Sequence, residues 1–500
     1  MKPSRLLLVF LILTLGALGA RAAAEPRDAA VVQILVTYRR FDPGIPWRRE
    51  KPQERDGYGV VVGPGRVLTV ESLVRNATLV EIRRAGDGTR IPCTVVLADA
   101  QANAALLSCT DTRGLAALTP VPVSTNLTRA GKVQIVQFDE AAQIQTAEGT
   151  VTEASVAPLP DAPWSALMLK VHSELHVTED GAPVFRGAEL AGLVMGYDRD
   201  AQASLVLPST LLARFLADVA TPPYRGVPSA GFTWAPLLNP DKRRYLGLAD
   251  DARGVLVLKT IPGSGAAAAL QPQDVVVAWD AVPVDSEGYY ADPVCGRVLF
   301  SNLITSRHRP GDSVAVAVMR DRTNQTVTVT LQSRTDDDAL IPENAAGEPV
   351  EYLTEGGLVI REVTGDYLRA AGGKWIFQAH PKLVHLYLTR AQFPEQVGDR
   401  VVILSGVLPD PVNVGYQQLR DMIVTRVNGQ PVRNLADVFA VAEKDGSIER
   451  LTLDEFGVDV MLDRSTIGAA NKRIRSVYNI PKLRYRRPEV SRLAPAGIQP

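Results

Sequence analysis

The chain of 500 residues is too long for one hydrophobic core, so we expect about three domains. Its 54 Lys and Arg nearly cancel its 55 Asp and Glu, which excludes the strongly basic character of general nucleic-acid binders. The 39 glycines and 35 prolines recur between Val-rich runs of strand length, and this pattern predicts a mainly β protein.

The first 24 residues are predicted to be a signal peptide. Lys2 and Arg5 supply positive charge, and residues 6–18 form an apolar core too short to span a bilayer. Alanines follow, and we expect cleavage after Ala22 or Ala24. The alternative is an uncleaved N-terminal anchor. No later segment is long and apolar enough to cross a membrane, so we expect an exported protein, secreted or periplasmic.

The chain has three cysteines, and two of them are candidates for a disulfide. If residues 91–98 and 104–109 form a hairpin, Cys93 and Cys109 face each other across it, and export permits a bridge. The alternative is two buried free thiols, because the register of the hairpin is not observable from the sequence. Cys295 is left over. No Cys/His spacing indicates a metal site, and we expect no cofactor.

Three motifs follow one another in the first half of the chain. Residues 57–69 (GYGVVVGPGRVLT) contain a strand, a glycine turn and a second strand, and Ser72 comes shortly after them. Residues 99–107 (DAQANAALL) place Asn103 just before an apolar strand. Residues 178–183 (TEDGAP) form a tight loop that leads into two short apolar strands.

These motifs resemble those of the HtrA/Deg family of trypsin-like serine proteases. The resemblance places the catalytic histidine of the family at Ser72, the aspartate at Asn103 and the nucleophilic serine at Asp180. Thr178, Glu179 and Asp180 hold the positions of its oxyanion loop. It implies a trypsin-like double β-barrel over residues 25–220, with a degenerate triad and no catalytic residue.

Acyl transfer by this design needs a nucleophile, an imidazole that takes its proton and an acid that orients the imidazole. The residues at the three positions do not fill these roles, and Glu179 and Asp180 add carboxylates where an anion would have to be stabilised. The alternative is a rewired site, in which Ser72 is a displaced nucleophile and His172 or His176 serves as a base.

Residues 224–334 resemble a PDZ domain of the Deg type. Ala230, Gly231 and Phe232 stand at the carboxylate-binding loop, and a helix predicted over residues 298–306 forms one wall of the groove. A PDZ domain binds an extended C-terminal peptide as an added strand. The resemblance therefore implies that the peptide contacts a set of mostly apolar positions: Ala230, Gly231, Phe232, Val298, Leu299 and Leu303. The alternative is a PDZ fold that only packs against its neighbours.

Residues 340–481 resemble the second, divergent PDZ-like domain of plant-type Deg proteases. The resemblance is most specific in residues 398–408 (GDRVVILSGVL) and 423–432 (IVTRVNGQPV). Residues 482–500 are rich in Arg and Pro and predict a basic tail. The departures from the family pattern all fall where chemistry would occur, as in a pseudoenzyme that keeps the fold and loses the site.

The leading hypothesis is therefore an inactive HtrA/Deg homologue that binds polypeptides or protein C-termini as a scaffold, a chaperone-like protein or a regulator. A second hypothesis is an active endopeptidase with a rewired site. A third is a structural subunit that assembles with an active paralogue. The resemblance implies a trimer-based homo-oligomer, and neither nucleic acid nor a membrane span is expected.

Overall fold

The structure is a computed structural model. It describes residues 27–109, 118–127, 129–159, 162–174, 177, 179–249, 253–344, 347, 349–454 and 458–487. The predicted signal peptide, His176, Thr178 and residues 488–500 of the predicted tail lie outside the described residues. Within them, no helix combines the length and the apolar character that a membrane crossing requires.

Two closed six-stranded barrels form the first part of the structure. The first barrel closes in the order β1-β2-β3-β6-β5-β4 and the second in the order β10-β11-β12-β9-β8-β7. The strands of the first are β1 (Val31–Tyr38), β2 (Gln53–Gly63), β3 (Arg66–Thr69), β4 (Ala77–Arg84), β5 (Ile91–Asp99) and β6 (Ala104–Cys109). Those of the second are β7 (Gly131–Phe138), β8 (Ile144–Pro158), β9 (Ser165–Ser173), β10 (Pro183–Arg186), β11 (Glu189–Asp198) and β12 (Ala203–Pro208).

Among the described residues of the barrels there are two α-helices. The four-residue helix α1 (Glu71–Val74) follows β3, and α2 (Ser209–Val219) closes the second barrel. Every second residue of β1 from Val32 to Tyr38 points into the first barrel, and those residues are buried, with Ile34 fully so. This alternation along the strands places the core inside each closed barrel, as the period of a β-strand requires.

The six-stranded sheet that follows contains β14 (Phe232–Pro236) at one edge, and runs in the order β14-β15-β16-β20-β21 with β17 beside β16. Its other strands are β15 (Val255–Thr260), β16 (Val275–Trp279), β17 (Val282–Pro283), β20 (Ser313–Arg320) and β21 (Thr323–Thr330). Two small pairs accompany it: β13 (Pro228–Ser229) with β22 (Gln332–Ser333), and β18 (Tyr289–Asp292) with β19 (Gly296–Leu299). The helices are α3 (Pro240–Tyr245), α4 (Gly265–Ala269) and α5 (Ser301–Arg307).

The helix predicted over residues 298–306 is wrong at its start. Val298 and Leu299 belong to β19, where they pair with Tyr290 and Tyr289, and the helix α5 begins only at Ser301. The turn of this hairpin is fixed by Asp292, whose side chain accepts from two backbone amides, and by Gly296 at φ +78°. The backbone hydrogen-bonding groups of Val298 and Leu299 are used in this hairpin, so the helix begins only after them.

An eight-stranded sheet ends the structure, with the path β29-β28-β26-β25-β24-β23-β30 and β27 beside β26. Its strands are β23 (Tyr352–Glu355), β24 (Leu358–Glu362), β25 (Val402–Val407), β26 (Met422–Val427), β27 (Gln430–Pro431), β28 (Arg450–Leu453), β29 (Asp459–Met461) and β30 (Arg484–Tyr485). Its helices are α6 (Gly365–Arg369), α7 (Trp375–Gln378), α8 (Pro381–Arg390), α9 (Leu435–Asp445) and α10 (Arg464–Val477). The mainly β architecture predicted from the sequence is confirmed.

The final sheet is also tied to the first barrel. Trp47, in the segment between β1 and β2, packs on Tyr352 with ring centroids 5.6 Å apart, and on the apolar side of α10. The fully buried Arg361 donates to the carbonyl oxygen of Pro43, and burial lowers the pKa of its guanidinium. Breaking this contact would leave the buried charge of Arg361 without its acceptor, which is costly in free energy. The contact therefore fixes the position of the final sheet relative to the first barrel.

Cys93 and Cys109 lie opposite each other on β5 and β6 and are joined by a disulfide. The bridge spans 16 residues and closes a hairpin at the rim of the first barrel. Cys295 is a buried free cysteine.

Replacing both Cys93 and Cys109 by Ala should lower the free energy of unfolding of the first barrel. A loop of this length contributes about 3 kcal/mol in the chain-entropy account of disulfides. Urea unfolding of the oxidised protein and of the double variant measures the difference. Intact-mass analysis after alkylation without reductant should show one modified thiol in the unfolded wild type, and modification of all three would contradict the bridge.

Candidate functional site

One short helix and two loops bring Ser72, Asn103 and Asp180 together between the two barrels. Ser72 lies on α1, Asn103 follows β5, and Asp180 precedes β10. The backbone N–H of Ser72 donates to Oδ1 of Asn103 at 2.9 Å, and the hydroxyl of Ser72 donates to Oδ2 of Asp180 at 3.2 Å. The three positions that the resemblance assigns to the triad thus form one hydrogen-bonded chain.

The loop that carries Asp180 is fixed through its backbone. The carbonyl oxygen of Asp180 accepts from the N–H of Tyr58 at 2.8 Å, and Gly181 N–H donates to Val194 at 2.7 Å. Gly181 has φ +83°, and a Cβ atom there would overlap the carbonyl oxygen of Tyr58. A Cβ atom at Gly57 would overlap the carbonyl oxygen of Asp180 in turn. Only glycine fits at these two close approaches of backbone.

Asn103 is positioned by the turn that precedes it. The carboxylate of Asp99 accepts from the backbone N–H groups of Gln101 and Ala102, and also binds the hydroxyl of Tyr224. Burial raises the pKa of Asp99, and it raises the pKa of Tyr224 as well. This Asx turn delivers Asn103 in a left-handed conformation, φ +44°, which asparagine tolerates better than most residues.

The side chain of Asn103 is only partly satisfied. It is 3% exposed, and within the described part of the chain its Nδ2 is buried without a hydrogen-bond partner. An aspartate would present an acceptor at the same point, where an imidazole N–H could donate to it. The amide of Asn103 presents a donor there instead, and the side chain of Ser72 has no ring nitrogen.

The electrostatics of the site are acidic. Burial raises the pKa of Tyr58, and the negative charge of the nearby Glu179 raises it further. Glu179 and Asp180 are both half-buried. Thr178, the other predicted residue of the oxyanion loop, lies outside the described residues. Carboxylates at this position disfavour a developing oxyanion, since like charges repel strongly where water is partly excluded.

His172 offers no support for the rewired site that the sequence left open. It is an exposed residue of β9, opposite Thr150 of β8. His176 lies outside the described residues. The arrangement of Ser72, Asn103 and Asp180 therefore holds a hydroxyl, an amide and a carboxylate, and the described residues bring no imidazole into this hydrogen-bonded chain.

A second candidate site lies at the free edge of β14. Within the described residues, Phe232 pairs with Thr260 of β15 on one side, and β14 ends the path of its sheet. Gly231, at φ +74°, accepts from Ile261 N–H at 2.8 Å, and its own N–H donates to the hydroxyl of Ser229. Ala230 is partly buried and packs against the core. An open strand edge beside a glycine turn is the arrangement to which an extended peptide adds.

Two half-buried rings of this edge, Phe232 and Trp234, pack on two buried rings of the core. Phe232 stacks on Trp279 with centroids 6.1 Å apart, and Trp234 lies 5.3 Å from Phe300. Sequence reasoning found Phe232 and missed the others. The alternation of Phe232 and Trp234 along one strand is the signal that could have found Trp234.

The predicted groove residues on the other side need correction. Val298 and Leu303 are buried in the core, so neither can face a ligand. Leu299 is half-buried in the hairpin opposite Tyr289. Phe300, immediately before α5, is buried as well, and it packs against Phe232 and Trp234 from the core side.

The corresponding edge in the last sheet is covered. There β24 pairs with β25 on one side and with β23 on the other, with Leu353 opposite Ile360. The chain itself therefore occupies the edge of β24 and leaves the edge of β14 without a strand partner among the described residues.

The comparisons with known proteins follow the same order along the chain. Residues 57–193 match the trypsin-like peptidase domain family, and residues 341–485 match the PDZ domain family. The chain is 25% identical over 465 residues to the chloroplastic Protease Do-like 2 of Arabidopsis thaliana, covering 91% of this chain and 74% of that protein. It is 20% identical over 456 residues to the mitochondrial Protease Do-like 4 of the same plant, covering 90% and 84%.

Among solved structures, the HtrA-type protease AlgW with decapeptide is 17% identical and matches with a TM-score of 0.47, covering 62% of this chain and 97% of that chain. The serine endoprotease from Yersinia pestis is 16% identical and matches with a TM-score of 0.42, covering 62% and 96%. The match to a trypsin-like peptidase domain is followed along the chain by the match to a PDZ domain, and the Do-like relatives extend over nearly the whole chain, so the protein belongs to the HtrA/Deg family.

Proposed function

We propose that this chain is an exported, catalytically inactive HtrA/Deg protein that binds the C-termini of polypeptides. It acts as a scaffold, a chaperone-like protein or a regulator, through the PDZ module of residues 224–334. The observation that carries the proposal is the hydrogen-bonded chain of Asn103, Ser72 and Asp180, which stands where acyl transfer needs aspartate, histidine and serine.

The inactivity follows from the chemistry of the groups. The carboxylate of Asp180 can accept a proton, but it is a poor nucleophile. Among the described residues, the hydroxyl of Ser72 has no imidazole beside it that could remove its proton. The loss of the general base alone removes several orders of magnitude in rate in enzymes of this design. The amide of Asn103 cannot orient or stabilise an imidazolium, because it lacks the negative charge.

One contact favours the second candidate function, an active endopeptidase with a rewired site. The hydroxyl of Ser72 lies 3.2 Å from Oδ2 of Asp180, within reach for proton transfer. An aspartate is ordinarily a far weaker base than an imidazole at neutral pH, however, and the negative charge of Glu179 nearby disfavours a developing oxyanion. If Asp180 activated Ser72, the carboxylate of Asp180 would also lie near the developing oxyanion and repel it. We therefore rank this candidate second.

We predict that the purified protein neither reacts with a fluorophosphonate probe nor cleaves casein. An active Deg enzyme, labelled in parallel, is the positive control. The Ser72→Ala variant is the matched control, since labelling that this change abolishes would show that Ser72 is a rewired nucleophile. That result would contradict the proposed inactivity.

Peptide capture is the function that the free edge of β14 supports. A peptide that adds beside β14 satisfies the backbone groups of the edge, and the half-buried rings of Phe232 and Trp234 offer an apolar contact for its last side chain. We expect one peptide on one such strand edge to bind in the micromolar range, or about −8 kcal/mol.

Phe232→Asp should weaken the binding of C-terminal peptides at least about tenfold, because it places a charge in the apolar pocket and repels the terminal carboxylate. A peptide library presented to the whole protein measures the effect, with amidated peptides as ligand controls. Leu258→Asp is the matched variant, since Leu258 is a 46% exposed residue of the neighbouring strand β15.

If no peptide binds, or if amidation and Phe232→Asp change nothing, the groove is structural. The third hypothesis then gains, in which the chain is a subunit that assembles with copies of itself or with an active paralogue. The trimer-based assembly that the resemblance implies belongs to this proposal.

Export is proposed from the N-terminal sequence, with Lys2 and Arg5 ahead of the apolar residues 6–18. The two Arabidopsis relatives carry organelle names, so the compartment of this chain needs its own test. We predict a mature protein that begins at residue 23 or 25. N-terminal sequencing of the protein from its native source measures this directly, and an intact Met1 or Lys2 would indicate the uncleaved anchor.

A further inference from the structure

The most exposed large apolar side chain of the described residues is Phe377, at 88%, and the neighbouring Ile376 is 44% exposed. Both belong to the apolar tip, which we define as residues 371–378 between α6 and α8, including α7. Apart from the half-buried Trp375, every residue of the tip is exposed. Two adjacent apolar side chains on an exposed segment differ from the single exposed apolar residues that any surface carries.

The tip stands on a fixed base. Trp375 packs edge-to-face on Tyr387 of α8, with centroids 5.4 Å apart, and the hydroxyl of Tyr387 donates to Glu343. Glu343 also binds Arg369 of α6 at 2.7 Å. Because its base is held by these contacts, the tip presents Phe377 outward at a defined place.

The Lys, Arg, Asp and Glu residues of the segment around the tip are all basic. Residues 367–394 contain four Lys or Arg and no Asp or Glu, in a chain whose total charges nearly cancel. Arg369, Lys382 and Arg390 form ion pairs with acidic residues outside this segment. Lys374 lies at the tip itself, next to Trp375, and is exposed without an ion pair among the described residues.

The apolar area of the tip favours a lipid surface over a protein as its partner. A stable protein–protein interface buries about 800 Å² on each partner. Two side chains such as Ile376 and Phe377 supply roughly 300 Å², with a large aromatic residue burying about 150–250 Å². A lipid surface needs no matching area, since aromatic and aliphatic side chains insert singly into the headgroup region while a lysine contacts phosphate.

We propose that the apolar tip docks on an anionic lipid surface. Ile376 and Phe377 insert below the headgroups, and Lys374 pairs with a lipid phosphate. The interaction is peripheral and reversible, since the buried area of one tip is small. It is independent of the peptide groove, and it would hold that groove near a membrane.

Cosedimentation with vesicles tests the proposal. The protein from residue 25 onward is used, so that the apolar residues 6–18 do not themselves partition. It should sediment with vesicles of phosphatidylcholine containing phosphatidylglycerol, and less with vesicles of phosphatidylcholine alone. Phe377→Asp should lower the partition coefficient at least about tenfold. Lys374→Glu should lower it on the anionic vesicles and have little effect on the neutral ones.

Val477→Asp is the matched control, because Val477 is a 73% exposed apolar residue of α10, outside the tip. Its binding to vesicles should equal that of the wild type, and thermal unfolding should show all variants folded. Failure of the wild type to sediment with anionic vesicles would overturn the proposal. An equal loss in Phe377→Asp and Val477→Asp would overturn it as well.

Discussion

The close approach of two backbone segments, Tyr58 on β2 and Gly181 before β10, fixes the rest of the first half of the molecule. It joins the two barrels through a hydrogen bond from Tyr58 N–H to the carbonyl oxygen of Asp180, at a point where only glycine fits at position 181. The contact involves no functional side chain. The frame can therefore persist while the side chains of Ser72 and Asp180 change, which is how a protease fold can lose its chemistry and stay folded.

On the proposal that the barrels are inactive, the function resides in the later part of the chain, and the two later sheets differ in whether a strand edge is open to a peptide. The edge of β24 is covered by β23, and its sheet is tied to the first barrel by Trp47 and Arg361. The edge of β14 has no strand partner among the described residues and carries Phe232. The groove near β14 is also coupled to the second barrel, since Arg214 of α2 donates to the carbonyl oxygens at the end of α5.

Much of the fold could be predicted from the sequence, since the alternation of Val with polar residues and the glycine turns are local signals. The meeting of Ser72, Asn103 and Asp180 also agrees with the motif positions. The start of α5 could not be predicted, because it depends on the hairpin in which Tyr290 pairs with Val298. The turn of this hairpin is held by hydrogen bonds to a side chain, and these give no periodic pattern in the sequence. The docking of Trp47 on Tyr352 joins residues about 300 apart, and a single sequence does not reveal such pairs.

We propose, as the central point, that peptides bind at the edge of β14 and not at the site of Ser72, Asn103 and Asp180. The most direct measurement compares the affinity of the whole protein for one C-terminal peptide in two variants, Asp180→Ala and Phe232→Asp. The account predicts an unchanged affinity in Asp180→Ala and a loss in Phe232→Asp. An affinity that falls with Asp180→Ala and survives Phe232→Asp would place the ligand between the barrels and contradict the account.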